Sequence, residues 1–297
     1  VVLSPKIVLK NKYHISVNPR VKGDSSNKHQ MYIMFKFIIV AVFVFLHKTS
    51  VSQALSSPSS TLPPKTIIFP GGGIFFYWQA GVITHLREQS YPLDNQQIRL
   101  TGASAGALCA TLTALDVSFE DATRLALAKA REAGVWDRPL GLYGIWGNLI
   151  DEWLEELIID DDKLLSRVNE KVSLLVTEVP SFQTKKLSRF ISKQDLIGAN
   201  MASIHIPLFL DGKITTPFRG SAHIDGSFLA ETGDYCCDEE QNNSVTLNWG
   251  ADPYLSNRNL GDAVTALNEE GIWDLVDRGR KYAIQMEKRG DFDCLQL

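Results

Sequence analysis

The chain has few of the residue patterns that build metal centres or nucleotide sites. Its 297 residues include four cysteines, Cys109, Cys236, Cys237 and Cys294, and no Cys-x-x-Cys pair, so a zinc or dithiol site is not expected. Asp160-Asp161-Asp162 lacks the spaced oxygen ligands and the glycine of a calcium loop and reads as a solvated helix boundary. Gly71-Gly72-Gly73 is not followed by the Lys-Ser/Thr of a Walker loop. Phe76 stands where a dinucleotide fingerprint needs its third glycine. No metal and no cofactor is expected. Long apolar runs are also scarce: Phe37–Leu46 is unbroken for only ten residues, about half of the ~20 that span a bilayer as a helix. Basic charge is scarce beyond the front of the chain. Residues 1–54 hold eight Lys/Arg and one acid, which leaves 22 basic and 33 acidic residues in 55–297, a net charge of −11. That body has no basic face for nucleic acid, and any membrane contact would have to be mainly apolar.

What is present begins with a targeting pattern. The chain opens on Val1, and residues 1–33 read as an upstream or unstructured segment. From Met34 onward, Lys36 supplies a positive flank, Phe37–Leu46 an apolar centre and Ser52-Gln53-Ala54 a small-x-small cleavage signal. This is the anatomy of a secretory signal peptide over 34–54, with a retained membrane anchor as the rival reading. The Ser/Pro-rich stretch 55–64 reads as a linker. The expected compartment is the secretory pathway, or a plastid if the chain comes from an alga. In the secretory pathway the sequon Asn242-Asn243-Ser244 can be glycosylated, and the cysteines other than Cys109 can include one disulfide.

From Lys65 the pattern becomes that of an α/β sheet. "KTIIF" (65–69) is a buried strand running into a glycine turn, and 75–89 is a helix. Ile98–Thr101 is a second strand and Ala105–Leu115 a small apolar helix. A helix from Ser118, its N-cap, to Gly134 follows, then an amphipathic helix in 148–159. Val172–Val179 and Lys186–Ile191 alternate as strands, 193–203 is helical, and a last helix spans Ile272 to about Met286. The alternation of strands and helices predicts a parallel-sheet architecture.

Chemistry concentrates at Gly102-Ala103-Ser104-Ala105-Gly106, between the second strand and its helix. Gly-x-Ser-x-Gly at such a junction places a serine on a sharp turn. The flanking glycines avoid clashes, and the helix N-terminus favours a developing negative charge. The Gly71–Gly73 loop, also between strand and helix, can bring backbone N–H groups close to an oxyanion. Such a serine needs a base. Of six histidines only His205 and His223 follow Ser104, and His223 in "AHIDG" reads as a strand residue. Asp225, at the strand end before Gly226, can serve as base and then acid; the competing reading of Asp225-Gly226 is an ordinary turn.

Three blocks in order, "FPGGGIFFYWQAGVITHLRE", "LTGASAGAL" and "IDGSF", resemble the patatin-like phospholipase family. The stretch before the last block is similar to the triacylglycerol-lipase branch. The resemblance implies a three-layer α/β/α sandwich with a mainly parallel central sheet over 65–290. It implies a Ser104–Asp225 dyad without a catalytic histidine, an elbow framed by Gly102 and Gly106, and an oxyanion hole from Gly71, Gly72 and Gly73. The chain departs from the family pattern at Ile74-Phe75-Phe76, where many members carry Arg or Lys, and at Ser227, where Gly or Ala is usual. Phe75, Phe76, Tyr77 and Trp78 can line an acyl pocket or pack the helix on the sheet.

The function so implied is a lipid acyl hydrolase of lipid catabolism, a phospholipase or a triacylglycerol or galactolipid lipase. It would cleave a glycerolipid at a membrane or lipid-droplet surface. The alternatives are a Ser-His-Asp esterase using His223 or His205, an acyltransferase on the same dyad, and a non-catalytic lipid-binding or storage protein.

Overall fold

The computed structural model describes residues 65–236, 243–258 and 261–296. The signal-peptide and linker segments, Cys237 and Asn242 lie outside the described residues. Among the described residues no helix is long and apolar enough to cross a membrane.

A seven-stranded sheet forms the centre, in the order β5-β6-β3-β2-β1-β7, with β4 also paired to β3. The strands are β1 (Lys65–Phe69), β2 (Ile98–Ala103), β3 (Val172–Val179), β4 (Gln183–Leu187), β5 (Thr216–Phe218), β6 (Ser221–Asp225) and β7 (Ser244–Thr246). The pairs β7–β1, β1–β2 and β2–β3 are parallel, whereas β4 and β6 run antiparallel to β3 and β5 antiparallel to β6. Five strands (β7, β1, β2, β3 and β5) therefore point one way and only β4 and β6 the other, so the sheet is mostly parallel in strand direction. Its connections carry the helices α1 (Phe76–Glu88), α2 (Ala105–Ala114), α3 (Phe119–Glu132), α4 (Trp146–Leu157), α5 (Leu164–Val168), α6 (Lys193–Ser203), α7 (Thr232–Tyr235) and α8 (Glu269–Lys288).

Strand alternation sends neighbouring side chains to opposite faces. Ile67, Phe69, Leu100 and Leu174 point into the main core with the helices, whereas Ile68, Ala103 and Leu175 meet Tyr235 and Cys236 on the other side. The sandwich is thus lopsided, with a thick helical layer on one face. Fully buried Phe69, Phe75 and Trp78 each contribute about 2–3 kcal/mol of apolar burial. α1 and α8 cross closely: a Cβ on Gly279 would collide with the Trp78 carbonyl, and one on Gly81 with the Val276 carbonyl. The Trp78 ring packs on Tyr282 of α8 with centroids 5.5 Å apart, and its indole ties α1 to the 249–255 segment by donating to Asp252 Oδ2 at 2.9 Å.

Boundaries shift by a few residues from the sequence reading, and two of the shifts have a clear physical cause. The strand expected at Lys186–Ile191 lies at Gln183–Leu187. The tight β3–β4 turn sets its register, pairing Glu178 with Gln183, and Arg189 has a φ of 56° that ends extended backbone. The last helix begins three residues before Ile272, because Asn268 caps it by accepting from Gly271 N at 3.0 Å. Its first turn carries Glu269 and Glu270, so apolar periodicity gave no sign of it. Ser118 does cap α3, accepting from Asp121 N at 3.2 Å.

Candidate active site

One strand edge brings the two ends of the site together. β3 pairs with β4 along one edge, since Leu175 faces Lys186 and Val176 faces Lys185. Its other edge is shared. β2 arrives parallel and ends with Ala103 opposite Leu175; β6 arrives antiparallel and ends with Asp225 opposite Val176. Two strands thus meet head-on along β3. The residue that follows β2, Ser104, lies beside the last residue of β6.

Ser104 occupies the turn into α2 with φ 54° and ψ −130°, a conformation that costs a non-glycine residue on the order of 1–3 kcal/mol. The crowding around it explains the flanking glycines. A Cβ on Gly102 would meet the Gly106 carbonyl, and one on Gly106 the Phe69 carbonyl. Ser203, the last residue of α6, holds the turn from behind. Its hydroxyl accepts from Ser104 N at 3.0 Å and donates to the Leu175 carbonyl at 2.7 Å. Sequence reasoning missed Ser203; a serine at a helix end carries no local sign of a partner 99 residues away.

Ser104 Oγ donates to Asp225 Oδ2 at 2.6 Å. The other carboxylate oxygen, Oδ1, accepts from Ser227 N at 2.8 Å and from Ser227 Oγ at 2.7 Å. Asp225 is fully buried, and burial pushes its pKa above the usual carboxylate range, with the hydrogen bonds from Ser104 and Ser227 opposing the rise. The arrangement couples a hydroxyl to a carboxylate of increased basicity. His205 and His223 stand apart. His205 Nε2 lies 3.3 Å from the Lys213 carbonyl, and His223 Nδ1 is buried without a partner. Burial lowers the pKa of both. Neither imidazole hydrogen-bonds Ser104 or Asp225, although Asp225 N donates to the His205 backbone carbonyl at 2.8 Å.

The glycine loop lies directly over this pair. A Cβ on Gly71 would sit 2.5 Å from Ser227 Cβ and 3.0 Å from Ser104 Cβ. Gly73 has φ 56° and faces the Ala263 carbonyl so closely that a Cβ there would collide with it. The N–H groups of Gly71, Gly72 and Gly73 donate no hydrogen bond among the described residues. Ile74 and Phe75, at the departure from the Arg/Lys pattern, are buried in the core.

A cavity of about 120 Å³ opens beside Ser104, walled by Phe76, Leu108, Ile150, Trp153 and Leu210 among others. The aromatic run divides. Phe76 and Tyr77 line the cavity, Phe75 stacks on Trp249 with centroids 3.9 Å apart, and Trp78 packs against α8. Among the described residues no group of His, Cys, Asp or Glu is placed to hold a metal. Asp161 is paired with Arg167, and Cys109 and Cys294 are free thiols.

Comparison with known proteins follows the same residues. The omega-hydroxyceramide transacylase of Mus musculus is 29% identical over 168 residues, 56% of this chain and 28% of that protein. Patatin-like phospholipase domain-containing protein 2 of Mus musculus is 30% identical over 164 residues, 54% and 32% of the two chains. The Mus musculus 1-acylglycerol-3-phosphate O-acyltransferase Pnpla3 is 27% identical over 164 residues, 54% and 38%. The match thus spans about a third of each relative's length. The sequence pattern of the patatin-like phospholipase family covers residues 67–233. It takes in the glycine loop, the serine turn and Asp225 together, and the chain belongs to that family.

Proposed function

We propose that the protein hydrolyses fatty-acyl esters of glycerolipids through Ser104 and Asp225. The observation that carries this reading is the 2.6 Å hydrogen bond from a strained, buried serine to a buried carboxylate beside an apolar cavity. Ser104 Oγ attacks the acyl carbonyl carbon while its proton passes to Asp225 Oδ2. The oxyanion is held by N–H groups of the Gly71–Gly73 loop. Ser104 N–H is engaged by Ser203 and does not take part. The ester C–O bond breaks, and Asp225 returns the proton to the leaving alcohol oxygen. Water then attacks the acyl-enzyme, gives a proton to Asp225, and the free acid leaves as Ser104 recovers its hydrogen. The substrate surface is a membrane or lipid droplet.

The test is mass spectrometry of the protein after exposure to a fluorophosphonate. A covalent adduct on Ser104 that is absent from Ser104→Ala is the expected result. A folded protein that takes no adduct would sink the hydrolase reading in favour of a lipid-binding protein. Acyl transfer is the second reading, supported by two relatives named for transacylase and acyltransferase activity. It replaces water by an acceptor alcohol, and acylated product formed when such an alcohol is supplied identifies it.

Ser227 adjusts the base. Its hydroxyl bond to Asp225 Oδ1 lowers the carboxyl pKa against the effect of burial. Ser227→Ala removes that bond and keeps the backbone one. The acid limb of the kcat/KM profile on a soluble ester should therefore move to higher pH, because more base is protonated at any given acidic pH. A limb that stays in place would show that Ser227 only fills space under Gly71.

A further inference from the structure

The glycine loop over the dyad is held by its carbonyls. Three consecutive carbonyl oxygens each have a donor. Pro70 O accepts from Gln79 Nε2 at 2.9 Å, Gly71 O from Trp249 Nε1 at 3.3 Å and Gly72 O from Phe75 N at 3.1 Å. In a planar trans peptide the N–H points opposite to the C=O of the same plane. Holding these three carbonyls therefore turns the N–H groups of Gly71, Gly72 and Gly73 away from the donors. Phe75 N belongs to the helical turn that leads into α1, so the third hold is local. The other two come from side chains. Gln79 also donates to the Leu247 carbonyl at 3.2 Å. Both of these neighbours are carbonyls, so the amide nitrogen must face them. Gln79 Oε1 is left buried without a partner among the described residues, an arrangement that costs free energy and that an apolar side chain would avoid.

Trp249 is fitted closely to the loop. A Cβ on Gly72 would lie 2.6 Å from its Nε1, and the indole stacks on Phe75 with centroids 3.9 Å apart. At the next residue the Ala263 carbonyl closes on Gly73. Leu247, Trp249 and Ala263 all lie beyond residue 233, where the family pattern ends. The segment between β7 and α8 thus supplies neither member of the dyad, yet it meets each glycine of the loop. We propose that Trp249 and Gln79 are positioning residues for the oxyanion hole. By holding the Gly71 and Pro70 carbonyls they fix the peptide planes whose N–H groups receive the acyl oxyanion. The proposal rests on the hydrolase reading. Glycine peptides have wide conformational freedom, and donors already aimed at developing charge need no reorganisation during the reaction. A released loop would sample orientations that turn a carbonyl toward the oxyanion. The loss falls on kcat more than on KM, because the donors matter more to the oxyanion than to the ground-state ester.

The experiment compares p-nitrophenyl butyrate with its thiono analogue, in which C=S replaces C=O, on wild type, Trp249→Phe, Gln79→Met and Tyr282→Phe. Sulfur is larger than oxygen and accepts hydrogen bonds weakly. The ratio of kcat/KM for the ester to that for the thionoester therefore reads the oxyanion donors. Phenylalanine keeps a ring on Phe75 and removes the donor; methionine keeps the length of glutamine. In both variants kcat on the ester should fall about three- to tenfold, the worth of one neutral hydrogen bond, with KM within about twofold of wild type. The oxygen-to-sulfur ratio should fall by a similar factor. Tyr282→Phe is the control. It loses a hydrogen bond to the Ala251 carbonyl, in the same segment but not to the loop, and should keep the wild-type ratio. Because the ratio is taken within each variant, a partly unfolded preparation does not imitate the result; should either variant fail to fold, the other decides. The proposal is overturned if a folded Trp249→Phe or Gln79→Met keeps the wild-type ratio, or if Tyr282→Phe lowers it as much. Fluorophosphonate labelling of wild-type Ser104 separates the two levels. A labelled wild type with an unmoved ratio in the variants refutes the positioning role and leaves the hydrolase reading standing. A folded wild type that takes no label removes both.

Discussion

Asp225→Asn is expected to reduce ester hydrolysis by about 10²–10⁴-fold and to leave the protein at least as stable at neutral pH. The amide is nearly isosteric and can still accept from Ser227 N, but it cannot take the Ser104 proton. The stability half follows from burial. The folded-state pKa of Asp225 is raised, so its proton is held more tightly in the folded than in the unfolded chain. That contribution is complete below the unfolded carboxylate pKa and is lost as pH rises through the folded value. At neutral pH the wild type therefore keeps a buried carboxylate that the asparagine variant lacks. Melting temperature against pH should show the variant gaining on wild type as pH rises. Ser104→Ala should lose a similar factor in activity, and the double variant should be little worse than either single one, as for residues that act as a unit. Hydrolysis within tenfold of wild type in Asp225→Asn, or a double variant whose loss is the product of the two, would remove Asp225 from the chemistry.

Gly71→Ala should lower kcat by about 10²–10³-fold, the size of effect seen when an oxyanion donor is displaced. The new methyl would lie 2.5 Å from Ser227 Cβ and 3.0 Å from Ser104 Cβ, so either the loop lifts or the two serines move. Lifting the loop takes its N–H groups away from the carbonyl oxygen. Displacing Ser227 disturbs its two bonds to Asp225 as well. Gly233→Ala is the control, since a Cβ there meets nothing within 4 Å. The comparison is a kcat and KM determination on a soluble ester, well below each variant's melting temperature. A Gly71→Ala protein with wild-type kcat would show that the loop is only packing.

The readable parts of this site are those whose chemistry is local. Gly102-x-Ser104-x-Gly106 announces a turn because clashes within five residues and against the adjoining strand demand glycine. Gly71–Gly73 announces close approach for the same reason. Asp225 was singled out by its strand-end position and by family resemblance, and the fold sets its carboxylate 2.6 Å from the serine hydroxyl. Ser203 had no comparable signal. The four aromatics at 75–78 share one apolar character, and only the partners at Trp249, α8 and the cavity separate their roles. The strand at 183–187 was displaced in the reading because a hairpin turn sets its register and local alternation does not.

Sequence by itself determined the strand–loop–helix grammar, the strained serine turn and the acidic, apolar-rich body, because steric and hydrophobic preferences act over a few residues. Tertiary structure alone decided the meeting of β2 and β6 on one edge of β3, which joins residues 121 positions apart. It also decided the Ser203 contacts, the seating of Ser227 under Gly71 and the lopsided sandwich. Each of these depends on which distant surfaces share a boundary. Burial then acts on what is placed there, raising the Asp225 pKa. No five-residue window contains that information.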